Sequence, residues 1–310
     1  MRSLEERFAY LGDRVSFQEP LKKHCSFQIG GPADVFCQVA NGEELRQVLS
    51  ICKEEGIPFF FLGNGSNMLC NDLGFRGVVI TPLPHMQKME VEGTSIYAEA
   101  GASFMKVAAL SRDASLAGLA WARGIPGSVG GAVVMNAGAY GGEVCQVLES
   151  VMLLTPQGEV VKVPAKDLSL SYRHSRLMES GEIVLSARFS LTPGDQEEIA
   201  REGKELLMRR AEKQPLEYPS AGSTFKRPEG YFAGKLIQDA GLSGFQVGGA
   251  VVSSKHCGFV VNAGGATCED VVSLMSQVRR RVFDAFGVWL EPEVRYLGEK
   301  EEGWGSLLCE

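Results

Sequence analysis

Apolar positions recur along the chain with two periods. Leu45, Val48, Leu49 and Cys52 fall at i, i+3, i+4 and i+7, the stripe of an amphipathic helix that Gly56 and Pro58 close. Phe59-Phe60-Phe61-Leu62 reads as a short buried strand running into the loop Gly63-Asn64-Gly65-Ser66-Asn67, and Val78-Val79-Ile80 as another strand. This order predicts a β-α-β-like unit with a glycine loop at a strand's carboxyl end, a usual place for ligands. Further strands are expected at 95–100, 151–154, 159–163 and 183–189, with a helix over 104–117. A polar helix over 196–212 turns Ile199, Leu206 and Leu207 inward. A strand near 257–262 precedes a strong helix that starts at Thr267, with Asp270 completing a capping box. Val271, Leu274, Met275, Val278, Val282 and Phe286 form its apolar face and Gly287 stops it. Residues 288–296 alternate as one last strand, with Val288, Leu290, Val294 and Tyr296 on one face and Trp289, Glu291, Glu293 and Arg295 on the other. These patterns divide the chain at 1–84, 85–197 and 198–310.

Length and composition agree with that division. The 310 residues suit about two domains, or three small ones. Apolar residues at 45% and charged residues at 22% exclude a disordered chain. The net charge of −7 argues against a nucleic-acid partner. Met1-Arg2-Ser3-Leu4-Glu5-Glu6-Arg7 lacks the apolar core of a signal peptide, and no apolar run reaches the ~20 residues of a membrane span. The eight cysteines are scattered, with no metal-ligand spacing, and no HExxH motif occurs, so a reduced cytoplasmic protein without a metal is expected.

The candidate chemistry lies in the glycines and in a few charged groups. Gly63-x-Gly65-Ser66-Asn67 is neither G-x-G-x-x-G, since Met68 occupies the third glycine position, nor a P-loop. Its amides suit a pyrophosphate as a nest, although a plain tight turn fits the same residues. The run 124–142 mixes glycines with Ile125, Val129, Val133, Val134, Met135 and Tyr140, so it is packed rather than loose. Close-approaching backbone of this kind suits a nucleotide or flavin better than a structural coil. Tyr172-Arg173-His174-Ser175-Arg176 is either a solvated turn or a guanidinium fork for a carboxylate. Glu293 beside Arg295 is either a surface ion pair or a tuned acid.

In their order these pieces resemble one family. Ser26-Phe27-x-Ile29-Gly30-Gly31-Pro32-Ala33 and Leu62-Gly63-x-Gly65-Ser66-Asn67 come first. The long run from Gly124-Ile125-Pro126-Gly127-Ser128-Val129-Gly130-Gly131-Ala132 through Met135-Asn136-Ala137-Gly138-Ala139-Tyr140-Gly141 follows. Tyr172-Arg173-x-Ser175, Ser220-Ala221-Gly222-Ser223-x-Phe225-Lys226-x-Pro228 and Glu291-Pro292-Glu293-Val294-Arg295 complete the set over nearly the whole chain. The chain is similar in all of them to bacterial UDP-N-acetylenolpyruvoylglucosamine reductases, flavoenzymes that complete UDP-N-acetylmuramate for peptidoglycan.

The resemblance implies an α+β fold, with a two-subdomain FAD-binding fold of the vanillyl-alcohol oxidase (PCMH) type and a C-terminal α+β substrate-binding domain. It implies non-covalent FAD lined by residues 63–67, by Gly124, Ile125, Pro126, Gly127, Ser128, Gly130, Gly131 and Ala132, and by Gly138 and Ala139, with Arg295 touching the flavin. NADPH is the implied reductant and UDP-N-acetylglucosamine enolpyruvate the implied substrate. Hydride would come from N5 of reduced FAD and a proton from Ser223, with Arg173 and Glu293 stabilising the enolate. Tyr140, Lys226 and Arg227 fall on the substrate side, and Arg227 stands where some members carry Asn. A Glu293 kept neutral needs a raised pKa, with desolvation beneath Trp289 and a bound ligand as its expected source. The short stretch 175–183 lacks a tyrosine-bearing insertion and marks the compact branch. Another FAD-dependent oxidase of this fold, or a non-catalytic UDP-sugar-binding protein, remains the alternative.

Overall fold

The computed structural model describes residues 3–299. The chain forms two compact units. One holds the chain up to Ser16, Phe36–Asn64 and Val78–Arg210, and the other holds Phe17–Val35, Gly65–Gly77 and the chain from Ala211 on. Both mix helices with strands, in the α+β class expected.

In the first unit an antiparallel sheet runs in the order Val160–Pro164, Leu148–Leu154, Ile183–Ser190, Ser95–Glu99 and Met89–Glu92. Along Ser95–Glu99 only Ile96 and Ala98 are buried, the alternation of a strand with one face on the core. That face meets Phe104, whose ring centroid lies 5.7 Å from Trp121 in an edge contact and 5.8 Å from Phe189. Each such burial contributes about 1.5–3 kcal/mol. The helix Phe104–Asp113 ends four residues short of the expected 117. Ser115 takes a φ of 57°, which breaks the helical path, and Leu116–Ala117 instead pairs with Thr192–Pro193. The helix Gly42–Glu55 begins at Asn41, whose Oδ1 accepts from the amides of Glu43 and Glu44, and ends at left-handed Gly56. The strand Phe59–Phe61 follows the helix Gly42–Glu55 and pairs parallel with Val78–Ile80. The connection between these two strands carries the loop 63–67 and the short strand Met68–Cys70 rather than a helix, so they are not the expected β-α-β pair. Phe59–Phe61 lies at a sheet edge, so Phe59 is exposed rather than buried.

In the second unit a three-stranded antiparallel sheet runs Gln246–Val247, Ala250–Val252, Val260–Asn262. The helix Cys268–Phe286 has the expected capping box of Thr267 and Asp270. The Asp72 carboxylate accepts from the amides of Cys268 (2.9 Å) and Glu269 (3.2 Å), satisfying two further orphan donors. Val271, Leu274, Met275, Val278 and Val282 are buried, but Phe286 is exposed because the apolar contact runs out in the last turn. Residues 288–296 are not one strand. Only Arg295–Leu297 is, parallel to Met68–Cys70. Pro292, which has no N–H to donate, makes a single bridge to Phe225. The alternation itself holds over 289–291, where Leu290 is buried between exposed Trp289 and Glu291. No helix among the described residues is long and apolar enough to cross a membrane, and the seven described cysteines are free thiols.

Candidate functional site

The glycine-rich run of the first unit is shaped by close approaches. Val129–Val134 is a short helix with Ser128 as its N-cap, Oγ accepting from the Gly131 amide. Its first turn is tied to the sheet by Val129 N to Ala102 O (2.8 Å) and Gly130 N to Ala100 O (2.9 Å). A Cβ on Gly130 would meet Ala100 at 3.2 Å, so glycine permits this contact. Buried Asn136 then fixes the exit. Its Nδ2 donates to Ser171 O (2.9 Å) and Glu143 Oε2 (3.1 Å), and its Oδ1 accepts from Cys145 N (2.9 Å). Gly138–Ala139 pairs with Gly142–Glu143 across Tyr140-Gly141, whose φ values of 54° and 89° match a type I′ turn. The ring of Tyr140 is half exposed at the tip.

The Tyr-Arg-His-Ser piece docks on this run rather than forming a solvated turn. Ser171 and His174 exchange backbone hydrogen bonds, which leaves Tyr172 and Arg173 at a tight corner. Ser175, fully buried, donates from Oγ to Val134 O (2.6 Å), and Arg173 Nη2 donates to Gly138 O (2.9 Å). Arg173 also lies 4.8 Å from the Tyr172 ring centre and holds a φ of 54°. An L-residue in that region costs about 1–2 kcal/mol, strain of a kind found where a side chain must be aimed.

The loop 63–67 begins in the first unit. Asn64 Nδ2 donates to Pro126 O (2.6 Å), and a Cβ on Gly63 would collide with Ser128 Oγ. The loop ends in the second unit. Gly65, at φ 60°, lies so close to His24 and Cys25 that a Cβ would strike their backbone. Asn67 Nδ2 donates to Glu293 O (3.0 Å) and Asn67 O accepts from Arg295 N (2.9 Å), so this loop and the Glu-Pro-Glu-Val-Arg piece are built together. The serine piece joins the same pair of segments. Glu293 N donates to Thr224 O (2.9 Å) and Lys226 N to Glu291 O (2.8 Å), while Thr224 Oγ1 accepts from Val260 N (2.9 Å). Ser223 is thereby held one residue from the partner of Glu293, half-buried, its hydroxyl bonded to nothing among the described residues. Lys226 pairs with Glu291, and the Arg227 guanidinium lies 3.9 Å over the Phe232 ring. Burial lowers the pKa of Arg295. Trp289 stacks on Phe283 at 4.2 Å with Arg279 5.1 Å from its ring, so its face is occupied by the helix Cys268–Phe286. This departs from the expectation that it shields Glu293.

A protein of Lachnoclostridium phytofermentans named UDP-N-acetylenolpyruvoylglucosamine reductase is 51% identical over 292 residues, covering 93% of this chain and 94% of its own. The chain belongs to the UDP-N-acetylenolpyruvoylglucosamine reductase family. A reductase of Agathobacter rectalis with the same name is 51% identical, covering 96% and 98% of the two chains. The crystal structure of the reductase from Thermus caldophilus superposes with a TM-score of 0.79 at 35% identity, over 92% of this chain and 99% of that one. The family "UDP-N-acetylenolpyruvoylglucosamine reductase, C-terminal domain" matches residues 214–297, and "FAD binding domain" matches 33–164. The chain is thus an oxidoreductase and a flavoprotein.

The residues present fit FAD. Asn64, Gly65 and Ser66 have backbone N–H groups with no protein acceptor among the described residues, donors of the kind a diphosphate accepts. Gly63 and Gly65 each sit where a Cβ would strike packed protein atoms, Ser128 Oγ and His24 O respectively, so the tight course of this loop requires glycine at both. Two arginines near the reductase motifs were not signalled by the sequence. Arg123 and Arg210 pack against glycines, Arg123 on Gly203 and Arg210 on Gly124. The polar helix 196–212 hid the second, although Gly203, Leu206 and Arg210 share one helical face. His256 is a packing residue. Its Nδ1 accepts from Gly258 N (3.1 Å), and burial lowers its pKa. A cleft of about 850 Å³ in the second unit, lined by Lys22, Lys23, Cys25, Gln28, Asp72 and Asn262 among others, includes none of the expected site residues.

Proposed function

We propose that this reductase uses NADPH to reduce the double bond of UDP-N-acetylglucosamine enolpyruvate, giving UDP-N-acetylmuramate for peptidoglycan in the cytoplasm. FAD, when bound, supplies the two-electron relay between nicotinamide and alkene. The protein's own groups manage charge and proton. As the terminal methylene carbon gains hydride, negative charge grows on the neighbouring carbon and spreads into the carboxylate, and it is unfavourable unless fixed donors await it. Arg173 clamps the carboxylate with its planar fork, which a point charge does not replace. Glu293, carried protonated, donates a hydrogen bond to the same oxygens, with desolvation by the bound ligand keeping it neutral. Ser223 Oγ then gives its proton to the carbanion-like carbon and sets the lactyl stereocentre. A hydroxyl suffices as acid because the acceptor is very basic.

Residues 1–84 and 85–197 act in this reading as the FAD-binding subdomains and 198–310 as the substrate domain, with Tyr140, Lys226 and Arg227 on the substrate. The observation that carries the assignment is the unbonded, half-buried Ser223 hydroxyl, on a segment hydrogen-bonded through Thr224 to Glu293. UDP-sugars and NADPH are cytoplasmic metabolites, which supports the location. Anaerobic visible spectroscopy tests the whole. NADPH should bleach the bound flavin, and UDP-N-acetylglucosamine enolpyruvate should restore its colour. A flavin that bleaches but regains colour only with oxygen would point to an oxidase, and one that never bleaches to a non-catalytic protein.

A further inference from the structure

Arg210 is a cation of the first unit that the mechanism above does not use. Its stem lies along Gly124, where a Cβ would stand 2.9 Å from Cδ and 3.1 Å from Nη1. The contact is reciprocal, because Arg123, beside Gly124 in the chain, lies along Gly203 of the helix Gln196–Lys213, where a Cβ would stand 2.5 Å from its Cδ. Each element thus has a glycine where the other has an arginine, and this interlock fixes Arg210 at the margin of the 124–139 run. The guanidinium is partly buried, and that burial lowers its pKa. Arg14, Arg46, Arg112, Arg176 and Arg188 of the same unit each reach a carboxylate. Arg210 has no hydrogen-bond or ion-pair partner among the described residues. A partly desolvated guanidinium without an acid is unfavourable until an anion completes it, and its fork matches phosphate oxygens.

We propose that Arg210, held against Gly124, is a phosphate-binding group that receives a phosphate of a bound nucleotide. The inference rests on the nucleotide-sugar reductase reading, and both the UDP-sugar and NADPH carry this chemistry. The burial that lowers the Arg210 pKa also strengthens its pairing with a phosphate.

The test uses FAD-loaded Arg210→Met and Arg210→Lys, checked by flavin content and spectrum. Binding of UDP and of uridine is read by calorimetry, and the NADPH dependence of flavin bleaching by stopped flow. A phosphate of the sugar nucleotide predicts that Arg210→Met weakens UDP about tenfold or more and leaves uridine unchanged, with partial rescue in Arg210→Lys. A phosphate of NADPH predicts the same loss in the NADPH concentration needed for bleaching, with UDP unaffected. A residue that only packs against Gly124 moves neither ratio, and equal UDP and NADPH affinities in wild type and Arg210→Met overturn the proposal. If Arg210→Met does not retain FAD, Arg210→Lys decides alone. A threefold or larger selective loss for UDP or NADPH supports the inference, and no loss overturns it. A wild-type enzyme that neither binds UDP nor bleaches with NADPH would refute the parent reading instead.

Discussion

Ser223, Arg173 and Glu44 illustrate three ways a single side chain is set. Ser223 has no hydrogen-bond partner among the described residues, so its replacement removes chemistry with little structure. Ser223→Ala should bleach with NADPH at nearly the wild-type rate and regain colour with the enolpyruvyl substrate at least a hundredfold more slowly. Equal losses in the two half-reactions would rule out a proton-donor role. Arg173 is the opposite case, since its strained φ and its bond to Gly138 O tie the guanidinium into the fold. Glu44 is structural. The hydrogen bond from Arg14 holds its carboxyl below the usual range, burial opposes this, and the Ala40 amide adds to it. A depressed folded pKa gives stability that is complete above the unfolded value of about 4.3 and is lost as pH falls through the folded one. Glu44→Gln should therefore cost about 1 kcal/mol in urea unfolding at pH 7, and the difference from wild type should vanish on acidification.

At the scale of elements, short runs of backbone do most of the positioning. The loop 63–67 is the clearest. Gly65 combines a positive φ with contact against the backbone at His24 and Cys25, so no side chain can be moved aside to admit a methyl group. Gly65→Ala should lower the FAD-to-protein ratio after gel filtration to a small fraction of wild type, with a stability loss above about 1 kcal/mol. An unchanged ratio would exclude the loop as the diphosphate cradle. The helices Gly42–Glu55 and Cys268–Phe286 were legible because their caps and stripes are local. The end of the helix Phe104–Asp113 was not, since Leu116–Ala117 finds its partner about 75 residues later. Nor was the loss of strand structure over 288–294, where alternation records burial but cannot register that Pro292 interrupts the ladder.

For the whole molecule, each compact unit is assembled from separated stretches of chain, which makes ligand binding and stability interdependent. If FAD binds only the folded chain, saturating flavin at about 100 times its Kd should add about 2.7 kcal/mol. Differential scanning fluorimetry should then report a melting temperature for holoenzyme a few degrees above that of the apoprotein, rising with added FAD. A melting temperature independent of FAD would mean that the flavin contacts do not contribute to the native state. The sequence by itself determined the class of fold, the helices with their caps, and the family, because these are written in short-range periodicity and in contiguous motifs. It also singled out Arg173, Ser223 and Glu293, the residues on which the proposed mechanism rests. Only the tertiary structure decided that Thr224 binds Glu293 across nearly 70 residues, that the Trp289 face goes to Phe283 and Arg279, and that Arg210 lies on Gly124 without an acid. Those facts depend on which backbone amides and side chains meet after folding. Non-local pairing of that kind leaves no periodic trace in the residues between.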